Sequence, residues 1–153
     1  MELQPDGRQS ETALRIARGV RRHLVRLGFA SLPEVPLRSG RRADLLAVNG
    51  RGDIWIIEIK SSVADFRADS KWPDYLSHCD RFYFATTLEV PTEIFPDAAG
   101  LIIADAFGAE TIREAPPQPL AGATRKEVLI RFGLSGAARL HALADPEWTG
   151  HGP

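Results

Sequence analysis

The sequence predicts an α/β fold, a single domain in which helices pack on a sheet. Three observations predict it. The chain has 153 residues, the size of one ordinary domain, and 44% of them are hydrophobic, enough for a buried core. Helix-period and strand-period patterns alternate in the order helix, strands, helix, strand, hairpin, helix. One strand pattern, Ile54-Trp55-Ile56-Ile57 with Ile59, is apolar on both faces, as a central strand of a covered sheet must be.

Residues 10–27 read as a helix. Ser10 can cap its first turn, and Ala13, Ile16, Ala17, Val20, Leu24 and Leu27 recur at helical spacing. Gly28 stands where a left-handed closing residue is wanted. Phe29 to Leu37 is extended, because Pro33 and Pro36 exclude a helix interior. Ala43–Val48 and Asp53–Lys60 are hairpin arms around Asn49-Gly50-Arg51-Gly52. Residues 62–79 are helical with a break near Trp72-Pro73, and Val63, Phe66, Tyr75 and Leu76 face inward. Phe82–Thr86 is a strand, and Leu101–Asp105 and Glu110–Arg113 form a second hairpin around Phe107-Gly108. A Pro116-Pro117-Gln118-Pro119 linker leads to a last helix, Thr124–Leu143. Its apolar set is Val128, Leu129, Phe132, Ala137, Leu140 and Leu143, with Gly133 and Gly136 weakening its middle. The domain therefore spans residues 10–144, between an N-terminal tail (1–9) and a disordered C-terminal tail (145–153).

No apolar run approaches the ~20 residues needed to cross a bilayer, so no membrane partner is expected. The N-terminus lacks the pattern of a secretory signal, and Cys79 stands alone, without a disulfide partner. These features predict a cytoplasmic protein. The formal net charge of −1 argues at first sight against a nucleic-acid partner. It is an average over unlike regions. Between Arg8 and Arg42 nine arginines face only Glu11 and Glu34, and Arg15, Arg18, Arg22 and Arg26 share one outer helix face.

The stretch richest in chemistry is Arg41-Arg42-Ala43-Asp44, followed by Glu58-Ile59-Lys60-Ser61. Side chains alternate along a strand, so Glu58 and Lys60 point the same way. Counting back from the Asn49–Gly52 turn sets Asp44 near Ile57, with Glu58 next to it. Two carboxylates and an ammonium thus gather at one end of the sheet. The carboxylates repel unless a cation lies between them, and Mg²⁺ (or Mn²⁺) suits such oxygen ligands. The Ile59 carbonyl can add a third ligand. Metal polarisation of a phosphate, with Lys60 beside the attacking water or the developing charge, is the chemistry of phosphodiester hydrolysis.

Helix, Asp, then Glu-x-Lys on the following strand resembles the PD-(D/E)xK nuclease superfamily. More narrowly, Arg41-Arg42-Ala43-Asp44, Glu58-Ile59-Lys60-Ser61-Ser62, Asp65-Phe66, Lys71-Trp72-Pro73-Asp74-Tyr75 and Cys79-Asp80, with Phe82-Tyr83-Phe84-Ala85, resemble the MmcB-like DNA repair proteins of bacteria. The likeness runs from about Glu11 to about Leu143. It implies a restriction-endonuclease-like single domain, with a central mixed β-sheet flanked by helices, and a role in DNA repair. It also implies catalytic Asp44, Glu58 and Lys60, with Asp44 and Glu58 as metal ligands, and matches Glu11 to a helix glutamate that many members add to the metal site. Ala43 stands where the superfamily's name has proline. The expected partner is DNA at the nucleoid, with other repair proteins or a second copy compatible. The alternative is a non-catalytic DNA-binding or partner-recruiting module on the same fold.

Arg41, Arg42, Arg15, Arg22 and Lys71 are the candidate DNA contacts. Glu34 could reach the metal site from the strand before the hairpin, although exposure between two prolines is the plainer reading. Asp65 is read as pairing locally, and Ser61 and Ser62 as capping the next helix. Trp72 and Tyr75 are read as core, with stacking on an unpaired base as the alternative. His23, His78, His141 and His151 show no ligand spacing, so no zinc site is expected.

Overall fold

In the computed structural model, which describes residues 10–148, the first helix forms as its cap demands. Ser10 Oγ accepts the Ala13 N–H at 3.1 Å, and α1 runs Glu11–Arg26 before Gly28 turns the chain at φ 87°. The chain continues through β1 (Phe29–Pro36), β2 (Arg42–Asn49), β3 (Ile54–Ile59), α2 (Val63–Ala68) and a 3-10 helix over Trp72–His78. Then come β4 (Arg81–Thr86), a short 3-10 turn (Thr92–Ile94), β5 (Gly100–Ala104), β6 (Ala109–Arg113) and α3 (Gly122–Ala144). The expected tail over 1–9 and residues 149–153 of the expected C-terminal tail lie outside the described residues. Residues 145–148 form a turn in which the Trp148 indole stacks on His141.

The strands make one six-stranded mixed sheet in the order β1-β2-β3-β4-β5-β6. The β3/β4 and β4/β5 pairs are parallel and the others antiparallel. A parallel pair needs a crossover, and α2 with the 3-10 helix supplies it between β3 and β4. β3 is central, as its two apolar faces require. Ile57 and Ile59 meet α1 on one side, where Ile16, Val20 and Leu24 are buried. Each of those three contributes about 1.5–3 kcal/mol by burial. On the other face Ile54 and Ile56 pack with Phe82, Phe84 and Tyr75. The fold is the α/β single domain expected, a central mixed sheet flanked by helices. No helix among the described residues is long and apolar enough to cross a membrane.

The last helix departs from expectation. Of the predicted apolar set only Val128 is buried, and Leu140 and Leu143 are 67% and 80% exposed. The reason is where the sheet ends. Gly136 lies against Leu32, and Arg139 reaches the Pro33 and Glu34 carbonyls, all on the edge strand β1. Beyond that point α3 has no strand beneath it.

Asp80 ties three elements together. Its Oδ2 accepts the Ile54 N–H at 2.7 Å, and its two carboxylate oxygens receive the Arg125 guanidinium at 2.6 and 2.7 Å. Those bonds, the Arg125 pair foremost, hold its carboxyl below the usual aspartate range. A depressed carboxyl stabilises the fold above the ordinary aspartate pKa, and that contribution is lost as pH falls through the lowered value. Asp80→Ala is expected to cost about 1–3 kcal/mol at pH 7, the partly open pair being screened by solvent. Urea unfolding at neutral and acidic pH checks it, because the deficit should shrink in acid.

Candidate active site

The start of β2 and the end of β3 open onto a cleft of about 600 Å³. The hairpin that builds it differs in register from the sequence-based count by one residue. Leu45, not Asp44, lies opposite Ile57, so continuing the register sets Asp44 across from Glu58. The shift comes from the turn. Asn49 closes on Asp53, its N–H bonding the Asp53 carbonyl at 3.3 Å, and Gly52 takes a left-handed φ of 81°. The loop therefore holds three residues rather than four. The correction draws the two carboxylates closer together than expected.

Asp44 is fixed by its Oδ2 accepting the Ile59 N–H at 2.8 Å. Within an extended strand a residue's N–H and C=O point the same way, so the Ile59 carbonyl opens on the Asp44 side. Glu58 is 4% exposed, and its Oε1 has no hydrogen-bond partner. Burial pushes its carboxyl well above the ordinary range, and the neighbouring Asp44 carboxylate adds to the shift, against smaller opposing effects from Tyr75 and Lys60.

Lys60 lies just past β3 and is 7% exposed. Its N–H bonds the Ala85 carbonyl at 2.9 Å, and its carbonyl receives the Thr86 hydroxyl at 2.7 Å, which locks the chain there. Its Nζ donates to Asp69 Oδ2 at 2.9 Å. Desolvation raises the Asp69 pKa, but the Lys60 bond and the Lys71 N–H outweigh it, and the carboxyl sits below its usual value. The Tyr75 hydroxyl donates to the Arg42 carbonyl at 3.0 Å, and burial beside Glu58 pushes its pKa up.

The structure brings together Asp44, Glu58, Ile59, Lys60 and Arg41, all on the cleft wall. Arg41 also pairs with Asp74 at 2.9 Å. Other expected residues are elsewhere. Ser10, the cap of α1, and Ala13 line the cleft, whereas Glu11 is exposed and pairs with Arg15 at 2.7 Å. Arg22 reaches the Phe107 carbonyl, and Arg42 and Lys71 are exposed outside the lining. Glu34 lies on the edge strand, clear of the cleft. Trp72 packs against Phe82 and Phe84 as core. Ser62 caps α2, and Asp65 accepts from the Ser61 N–H and hydroxyl, the local pairing expected. Asp69 as partner of Lys60 was not foreseen.

Among the described residues no group of three or more His, Cys, Asp or Glu side chains gathers to hold a metal. The oxygen donors at this end of the cleft are two carboxylates and one backbone carbonyl. That donor set fits a hard cation that keeps several waters, and the buried Glu58 Oε1 has no hydrogen-bond partner within the protein.

The family described as MmcB-like DNA repair protein matches residues 2–147. A protein of unknown function from Silicibacter pomeroyi is 49% identical, covering 99% of this chain and 98% of its own, with a TM-score of 0.85. A repair endonuclease from Pyrococcus abyssi is 20% identical over 54% of this chain and 40% of its own, with a TM-score of 0.35, too distant to carry an inference. No curated protein matches.

Proposed function

The chain belongs to the MmcB-like DNA repair protein family, and on that premise we propose that it is a metal-dependent DNA endonuclease. The observation that carries the reading is the buried Glu58 carboxylate, with one oxygen unpartnered, beside Asp44 and two residues before Lys60. A catalytic module needs that costly set, and a purely structural strand end does not.

Asp44, Glu58 and the Ile59 carbonyl would hold Mg²⁺ (or Mn²⁺), which when bound supplies Lewis-acid polarisation of a phosphate oxygen. The other parts belong to the protein. Asp44 is aimed by the Ile59 N–H, and the Tyr75 bond to the Arg42 carbonyl pins the strand that carries it. Lys60 presents its ammonium, steadied by Asp69, to the attacking water or to charge building on the phosphoryl group. Arg41, on the cleft wall, contacts the DNA backbone.

The test is incubation with branched, flapped and single-stranded DNAs, with and without Mn²⁺. Cleavage of at least one substrate only in the presence of metal is expected. Salt-sensitive DNA binding without cleavage of any substrate would instead support the non-catalytic module.

A further inference from the structure

The turn between β5 and β6 presents a large aromatic to solvent from an unusually fixed backbone. Phe107 is 72% exposed. Asp105 Oδ1 accepts the Phe107 and Gly108 N–H groups at 2.8 and 3.0 Å, and the Asp105 N–H bonds the Gly108 carbonyl at 3.0 Å. The turn also docks on α1. Gly19 faces the Asp105 and Gly108 carbonyl oxygens so closely that any Cβ there would collide with them. Arg15 and Arg22 stand one helical turn before and after Gly19 and bracket the docked turn. Arg22 Nη1 donates to the Phe107 carbonyl at 3.3 Å, while Arg15 lines a hollow with Asp105 and Ala106. Asp105 is taken up by backbone N–H groups, Glu11 pairs with Arg15 at 2.7 Å, and Glu89 lines the same hollow as Arg15, so of the two arginines Arg22 is the one without an acidic partner among the described residues.

We propose that Phe107, with Arg15 and Arg22, is a stacking platform for an unpaired DNA strand. A phenyl face stacks at least cost where base faces are already free, and a flanking guanidinium suits the strand's phosphates. A duplex keeps those base faces stacked. The location fits the cleft. β3, β4 and β5 run parallel, so the C-terminal end of β5 lies at the same end of the sheet as Lys60, about 10 Å away across two strand spacings. The inference rests on the reading of that cleft as a DNA site, and it narrows the substrate to DNA with a single-stranded segment.

The test is fluorescence anisotropy in EDTA, so that it does not depend on the metal, with labelled oligothymidine and a blunt duplex of equal length. Phe107→Ala is expected to weaken oligothymidine binding roughly tenfold and leave duplex binding within about twofold, while Phe107→Trp retains affinity. Arg22→Gln should reduce the salt dependence of oligothymidine binding. Unchanged oligothymidine affinity in Phe107→Ala, or an equal loss on the duplex, would overturn the platform. The two readings separate cleanly. Loss of oligothymidine affinity in Phe107→Ala with no cleavage by the parent protein supports the platform and removes the nuclease. Metal-dependent cleavage with Phe107→Ala binding unchanged does the reverse.

Discussion

Lys60→Met is expected to slow DNA cleavage by about 10²–10³-fold, the usual cost of removing one aligned donor from a charge-stabilising site. The size follows from how firmly the ammonium is placed. Lys60 is 7% exposed, its backbone is tied to β4 through Ala85 and Thr86, and its Nζ is held by Asp69. Methionine keeps the unbranched stem and removes only the charge, so the fold should survive with a small loss of stability. Asp69→Asn should act more weakly and in the same direction, because it loosens the ammonium without removing it. Single-turnover rates at saturating DNA separate this effect from binding. A merely structural pair would change stability and leave the rate untouched.

The second large effect concerns stability and carries an unusual sign. In the metal-free protein Glu58 holds its proton to higher pH than in the unfolded chain, where the ordinary glutamate value is 4.5. Between that value and its raised folded value the native state binds more protons than the unfolded state. Stability therefore falls as pH rises through this window, by at most about 1.4 kcal/mol per pH unit. Glu58→Gln should remove the slope and make the metal-free protein more stable at pH 8, by about 1–2 kcal/mol, although it alters a buried residue. Mg²⁺ should stabilise the parent at pH 8 and leave Glu58→Gln unaffected. Thermal unfolding across pH, with and without Mg²⁺, reads all three outcomes. A pH dependence that Glu58→Gln leaves unchanged would contradict this account of Glu58, because that comparison cancels the opposite contribution of His23, whose pKa burial lowers.

Much of this was legible in the chain, because the signals were local. Ser10 and Gly28 bound α1, and Asn49-Gly50-Arg51-Gly52 marks the hairpin. The double-faced isoleucines of β3 fix its central place. What was not legible depended on geometry at a distance. The register moved by one residue because Gly52 is left-handed, a choice open to several turns with the same letters. The Lys60–Asp69 bond depends on how α2 breaks before the 3-10 helix, and nothing local marks Asp69 as different from Asp65. The arginine stripe was read correctly as an outer face. Which neighbour it faces depends on how α1 packs, which sets Ala13 toward the cleft and Arg15 and Arg22 toward the β5–β6 turn. Leu140 and Leu143 sit on the helix face that would be buried if β1 were not the edge of the sheet.

If Asp44 and Glu58 together hold a divalent cation, Mn²⁺ titration followed by electron paramagnetic resonance will read it without DNA. A single Mn²⁺ site is expected in the parent protein, displaced by Mg²⁺ and lost in both Asp44→Asn and Glu58→Gln. Absence of Mn²⁺ binding by the folded parent, or binding that both substitutions leave unchanged, would contradict it.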